Sequence, residues 1–246
     1  MPARIFVDTP LHADSAEISL PAAAARHVQV LRLQPGHSVL VFDGRGGEWQ
    51  AEVTHMGRSE VRVRLLARHV VQRELSHGVH LAVVMPANDR MDGLVEKATE
   101  LGAASIQPLM AERSVLRLSG ERAQKKCAHW LGVAVAAAEQ CGRTQLPLVH
   151  PVQNLASWLA QLSPDSSQRR WLLSPGAQQT LATALPQPGT TTLVLSGPEG
   201  GLSPAEEAAA LARGFTALAL GPRILRADTA PLAVLGTLSL LGADGV

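Results

Sequence analysis

The sequence predicts an α/β protein in two parts, a small β domain over residues 1–74 and an α/β domain over residues 75–246. Two patterns and one motif carry that expectation. Up to about residue 70, apolar and polar residues alternate at period two, as in strands with one buried face. From residue 80 onward, near-continuous apolar runs are separated by helix-length segments, as in a sheet covered on both faces. At 191–207 an apolar run passes through a glycine-rich loop into a helix start that carries its own cap. With 46% of its 246 residues hydrophobic, the chain has material for one large or two ordinary cores.

In the first part, residues 4–7, 38–42, 48–53 and 60–65 read as strands, and Asp43-Gly44-Arg45-Gly46-Gly47 as a hairpin-type connection. Residues 22–33 lack the alternation and end at Gln34-Pro35-Gly36, which predicts a short helix crossing the barrel. In the second part, residues 80–85 form a strand, 89–101 a helix stopped by Gly102, 105–109 a strand and 124–140 a longer helix ended by Gly142. Strands at 170–174, 191–196 and 215–220 follow, interleaved with helices at 204–213 and about 229–241.

A net charge of +1 is far below the basic excess of a protein that holds nucleic acid by phosphate neutralisation alone, so composition neither proposes nor excludes RNA. Nineteen of the 22 basic residues are arginine, the side chain that forks onto phosphate and stacks on bases; genomic base composition, in an alanine-rich sequence, is the simpler explanation of the bias. No long apolar run suggests a membrane span, and the first eleven residues carry Arg4 and Asp8 where a signal peptide is apolar, which predicts a soluble cytoplasmic protein. Cys127 and Cys141 lack metal-type spacing and read as buried thiols. The nine histidines are scattered, so no metal site is expected.

The strongest chemical signal is Gly197-Pro198-Glu199-Gly200-Gly201, followed by Ser203 as N-cap, Pro204 at the first helical position and Glu206 at the capping-box position. Glycines let backbone approach a ligand, and the strand ends of an open α/β sheet are where ligands bind. The loop has no phosphate-binding lysine and no G-x-G-x-x-G spacing, and Glu199 would repel a phosphate. It suits a ligand with positive charge or hydrogen-bond donors, or else is a structural turn. Leu220-Gly221-Pro222-Arg223-Ile224-Leu225-Arg226 places two arginines on another loop, either for a ligand or for surface carboxylates. Glu139-Gln140-Cys141-Gly142-Arg143 closes a helix and reads equally as a polar site or a frayed end, while Glu96, Lys97 and Glu100 read as a solvated face.

Together these segments resemble one family, the bacterial 16S ribosomal RNA (uracil-N3)-methyltransferases of the SPOUT superfamily. The resemblance runs in order through Arg4–Val7, Val30-Leu31-Arg32-Leu33 with Pro35-Gly36, Phe42-Asp43-Gly44, Lys97–Gly102, Glu112-Arg113-Ser114, Glu139–Arg143, Gly197–Gly201 and Leu220–Arg226. It implies an N-terminal PUA-like β-barrel that helps hold RNA and a C-terminal SPOUT domain tied in a deep trefoil knot. It also implies a homodimer, and methylation by S-adenosyl-L-methionine, without metal, of N3 of one uridine of 16S rRNA in the small ribosomal subunit, the m3U 1498 site.

Carried over by position, the cofactor-binding residues are Leu173, Ser174, Gly197, Pro198, Glu199, Gly200, Leu220, Gly221, Ile224, Leu225 and Arg226. The family's Arg-Thr-Glu-Thr appears here as Arg226-Ala227-Asp228-Thr229, which alters the polar contacts expected there. Neutral uridine N3 is a poor nucleophile. The expected catalytic groups are therefore Arg226 or Arg143, stabilising charge on the uracil carbonyls, with Glu139 as base. The base must be unpaired or flipped out to reach the pocket. Arg4, Arg26 and Arg32 are the expected phosphate contacts. The alternatives are a SPOUT enzyme with another RNA target and a catalytically silent assembly factor.

Overall fold

The computed structural model describes residues 2–12, 17–87, 89–163, 167–184 and 190–241. They form two compact units, Met1–Glu74 with Val135–Leu146, and Leu75–Ala134 with Pro147–Val246.

The first unit contains β1 (Ala3–Phe6), β2 (Glu17–Ser19), α1 (Ala22–Val30), β3 (Ser38–Phe42), β4 (Glu48–Met56) and β5 (Val61–His69). The strands lie in the order β1-β3-β4-β5-β2, with β1 parallel to β3 and the other pairs antiparallel. Among the described residues no pairing joins β2 back to β1, so the hydrogen-bonding path of the expected barrel stays open. β4 carries two register shifts, which let a long strand bend. Ile5, Val39, Val41, Val53, Val61 and Val63 point into one core with Ala24, Ala25 and Val28 of α1, as the period-two pattern requires. Gly44, Gly46 and Gly47 take positive φ in the β3–β4 turn, and Asp43 Oδ1 accepts from Arg45 N at 3.1 Å.

Val135–Leu146 belongs to this unit, whereas the two-part reading of the sequence puts it in the second domain. The reason is hydrogen bonding. Phe6 N donates to Glu139 Oε1 at 2.9 Å, Gly46 N to the Thr144 carbonyl at 3.0 Å, and Arg4 Nη2 to the Arg143 carbonyl at 2.9 Å.

The second unit opens with β6 (Val79–Val84), α2 (Arg90–Glu100), β7 (Ser105–Met110) and the start of α3 (Gly120–Cys141). It continues with β8 (Leu148–Val149), β9 (Gln153–Asn154), α4 (Leu155–Gln161), β10 (Arg169–Leu173), β11 (Thr192–Ser196), α5 (Pro204–Ala212), β12 (Thr216–Leu218) and α6 (Thr229–Leu241). The sheet is parallel throughout in the order β12-β10-β11-β6-β7-β8, with β9 also on β7.

Two cores explain the near-continuous apolar runs. Leu81, Val83, Trp171 and Val194 face α2, α3 and α6 through Leu94, Trp130, Val234 and Leu235. Their sequence neighbours Ala82, Val84, Leu172, Leu193 and Leu195 face α4 and α5 through Leu155, Trp158 and Ala210. α4 is absent from the sequence expectation, although Asn154 caps it by accepting from Ala156 N at 3.0 Å and Leu155, Trp158 and Leu159 recur at helical spacing.

Candidate functional site

Parallel pairing places Leu173 opposite both Ser196 and Leu218, so β10, β11 and β12 end side by side and release their loops at one edge. These loops enclose a cavity of about 330 Å³.

The wall from β11 is Ser196, Gly197, Pro198, Glu199, Gly201 and Leu202. Gly197 is tightly placed, because a Cβ there would lie 3.1 Å from Leu202 N, and Gly201 has φ +68°. Beyond the loop the capping box is closed: Ser203 Oγ accepts from Glu206 N at 3.4 Å and Glu206 Oε2 from Ser203 N at 2.9 Å. The other oxygen of Glu206 accepts from Glu112 N at 2.8 Å, and Arg113 Nη1 donates to the Gly200 carbonyl at 2.9 Å, so the segment after β7 grips this loop twice. Glu199 lines the cavity, but its Oε1 accepts from Ala87 N at 2.9 Å and lies 3.7 Å from Arg90, which spends part of its charge within the protein.

The wall from β10 is Leu173, Ser174 and Pro175, with the Ser174 hydroxyl donating to Glu207 Oε1 at 3.3 Å. The wall from β12 is Leu218, Leu220, Gly221 and then Arg223 to Ala227, with Ala230 behind it. The carbonyl of Arg226 accepts from Thr229 N and Ala230 N, both at 3.0 Å, which starts α6 and fixes the end of the loop. Ile224 is 84% exposed at this edge.

Ten of the eleven positions expected to hold the cofactor therefore line one cavity. Gly200 is the exception: its carbonyl is turned to Arg113. The sequence reading does not pick out Ser196 and Glu207. Ser196 is buried with an unpartnered hydroxyl oxygen, and it ends an apolar strand without any motif of its own. Glu207 sits next to the capping glutamate, where a second carboxylate reads as surface charge.

Two expected catalytic groups are engaged elsewhere, in the first unit. Arg143 is buried and its Nε donates to Glu74 Oε2 at 3.0 Å; Glu139 accepts from Phe6 N and lies 3.1 Å from His27 Nδ1. Neither lines the cavity, whereas Arg226 does. Among the expected phosphate contacts Arg4 must be corrected. It is buried, paired with Glu48 and stacked on the Phe42 ring at 4.8 Å, since a guanidinium inside a core needs a carboxylate and carbonyls around it. Arg26 and Arg32 are exposed. Arg32 takes φ +54° at the end of α1, where Arg32 N bonds to the Gln29 carbonyl and Leu33 N to that of Val28, a Schellman closure that usually falls to glycine. Both cysteines are free and half-buried. Among the described residues no group of three or more His, Cys, Asp or Glu could hold a metal ion, and no helix is long and apolar enough to cross a membrane.

The family described as RNA methyltransferase domain matches residues 73–239, and the RNA methyltransferase PUA domain matches residues 20–66. The chain is 31% identical to ribosomal RNA small subunit methyltransferase E of Bacillus subtilis (strain 168), over 86% of this chain and 85% of that one. It is 32% identical to the protein of the same name from Synechocystis sp., over 92% and 74% of the two chains. Its structure resembles ribosomal RNA small subunit methyltransferase E of Neisseria gonorrhoeae bound to S-adenosyl methionine, with TM-score 0.91, 30% identity and full coverage of both chains. It equally resembles a Legionella pneumophila methyltransferase in complex with bound SAM, at TM-score 0.90, 31% identity and 98% coverage of each.

Proposed function

We propose that this chain, which belongs to the RNA methyltransferase family, transfers a methyl group from S-adenosyl-L-methionine to N3 of one uridine of 16S rRNA in the small ribosomal subunit, the m3U 1498 site. The observation that carries this reading is the cavity at the ends of β10, β11 and β12, because ten positions expected from the resemblance converge on it.

The lining suits the cofactor. Leu173, Leu218, Leu220 and Leu225 offer apolar surface to an adenine ring, and the buried unpartnered oxygen of Ser196 needs a hydrogen-bond partner. Glu207 brings a carboxylate to a ligand that carries ammonium and sulfonium charge. When bound, S-adenosyl-L-methionine supplies an electrophilic methyl group.

The chain's own part is positioning and charge. Holding N3 in line with the methyl group could contribute about 7–11 kcal/mol through effective molarity. N3 must lose its proton, and negative charge then spreads onto the uracil carbonyls. Arg226 is assigned to stabilise that charge because it lines the cavity at its exposed edge. Arg143 and Glu139 are assigned instead to holding the end of α3 in the first unit, since their bonds are already made there. Arg26 and Arg32 remain the phosphate contacts of the β domain.

The reading includes a homodimer acting in the cytoplasm and a trefoil knot. α6 supports the dimer: Val234, Leu235 and Leu238 are buried while Leu240 and Leu241 are exposed, an apolar surface that a second copy would cover. The knot rests on the resemblance; residues 179–181 do lie beside Ala219, since Ala219 N donates to the Gln179 carbonyl and Leu181 N to that of Ala219.

The test is radiolabelled methyl transfer to small subunits that lack the modification, with the product nucleotide mapped by mass spectrometry. Label in 3-methyluridine supports the reading. Label in another nucleotide moves the substrate, and cofactor binding without transfer would favour the silent assembly factor.

A further inference from the structure

We infer that the loop after β7 and the first turns of α3, residues 112–129, form a phosphate track that leads the RNA strand to the cavity. This inference rests on the RNA methyltransferase reading and adds a surface to it.

The segment carries Arg113, Arg117, Arg122, Lys125 and Lys126 against Glu112 and Glu121, a net charge of +3 in a chain whose total is +1. It is one of the chain's basic stretches, beside residues 58–73 and 213–226, so positive charge is clustered along the sequence.

The helix geometry directs it outward. Ala123, Cys127, Trp130 and Ala134 recur at helical spacing and pack on the core. One flank of that stripe carries Arg122, Lys126 and His129 at i, i+4 and i+7, with Lys125 further round the helix. Arg122 and Lys125 are exposed and Lys126 is half-exposed. The ion pair Lys125–Glu121 is 3.6 Å long between side chains at least 80% exposed, a pair that solvent screens heavily. Arg113 and Arg117 bond to backbone carbonyls, of Gly200 at 2.9 Å and Glu112 at 2.7 Å, so these contacts fix the guanidinium groups without neutralising them.

Both ends of the track are tied to the site. Arg113 holds the Gly200 carbonyl of the cavity loop. From the other end, His129 Nε2 lies 2.7 Å from Asp92 Oδ2, Trp130 Nε1 donates to Asp92 Oδ1 at 3.0 Å, and Asp92 shares the first turn of α2 with Arg90, the partner of Glu199. A row of fixed and mobile cations running from a methyl-transfer cavity fits a polyanionic strand whose target base must be held unpaired at that cavity.

The triple variant Arg122→Ala, Lys125→Ala, Lys126→Ala tests the inference, because all three side chains lie off the core. Binding of unmodified small subunits is measured by filter retention from low to high potassium chloride, beside calorimetric S-adenosyl-L-methionine binding and thermal unfolding. The expected result is subunit affinity weakened about tenfold or more near physiological salt, and a slope of log affinity against log salt shallower by about 2, with cofactor affinity and melting unchanged. Unchanged subunit affinity and slope in the triple variant, with wild type binding and methylating subunits, would overturn the track while leaving the enzyme reading intact. A wild-type protein that neither binds nor methylates subunits would overturn both.

Discussion

The guanidinium of Arg113 and the carbonyl of Gly200 meet at 2.9 Å, so a loop that begins at β7 clamps the glycine loop that begins at β11. The bond joins residues 87 positions apart and turns Gly200 away from the cavity its neighbours line. Arg113→Ala removes the clamp without touching the cavity. A charge-assisted bond at an exposed site is worth about 1 kcal/mol here, so the dissociation constant for S-adenosyl-L-methionine should rise roughly fivefold by calorimetry. Arg113→Lys, which can donate to the same carbonyl, should recover part of the loss.

Gly197 and Gly93 give opposite expectations for the same substitution. A Cβ at Gly197 meets the backbone nitrogen of Leu202 at 3.1 Å, while one at Gly93 meets nothing within 4 Å. Gly197→Ala should shift the loop by a few tenths of an ångström and weaken cofactor binding measurably by calorimetry. Gly93→Ala, inside α2, should leave binding unchanged and raise stability by about 0.5–1 kcal/mol in chemical denaturation.

Arg143 is bonded to Glu74 inside the first unit, which predicts a fold phenotype in place of a chemical one. Removing one partner of a buried ion pair costs about 3–5 kcal/mol, and Arg143→Ala should lower the unfolding midpoint accordingly. Folded Arg143→Ala should still bind S-adenosyl-L-methionine with wild-type affinity. A variant that melts normally but loses methyl transfer would return Arg143 to the catalytic group.

Ser203→Ala opens the capping box of α5. The cost should be about 1 kcal/mol, read as a melting temperature lower by roughly 2–4 °C in calorimetry. Glu206→Gln should also cost stability, because its single amide oxygen can accept from Ser203 N or from Glu112 N but its NH2 group cannot accept from the other.

His80 gives the pH dependence. Burial, and secondarily the charge of His150, hold its imidazole below the usual value of 6.5, with Nδ1 2.7 Å from the Ser105 hydroxyl. His150 is lowered by burial as well. The folded state resists protons that the unfolded chain accepts, so stability is full above about pH 6.5 and declines as pH falls through that value. Unfolding midpoints should drop between pH 7 and 5.5, and His80→Gln should flatten part of that drop.

Some of this could be read from residue order alone. The capped helix start at Ser203-Pro204-Ala205-Glu206 follows from hydrogen bonds within four residues, and the structure places it there. The alternation in β3, β4 and β5 was equally legible, because one buried face leaves period two in the sequence. β8 and β9 were not, since two-residue strands carry no period and exist only through pairing with β7. α4 escaped although Asn154 and three apolar positions marked it, its seven residues being too short for a clear pattern.

The candidate site divides in the same way. The loops Gly197–Gly201 and Leu220–Arg226 are local motifs, so their residue types marked them as candidates beside a structural turn and surface ion pairs, and the family resemblance favoured a ligand. Which polar side chains remain available to a ligand depends on partners distant in sequence. Arg4 looked like a surface cation until Glu48, the Arg143 carbonyl and the Phe42 ring enclosed it. Glu139 and Arg143 looked like part of a site until Phe6, His27 and Glu74 engaged them. Ser196 and Glu207 became cavity residues only when β10, β11 and β12 ended together. Residue order alone therefore determined the capped loop and the strand periods, because short-range hydrogen bonds and the burial of one face act within a few residues. Tertiary structure decided which charges are spent and which face the cavity, because a buried charge is set by whatever the fold brings against it.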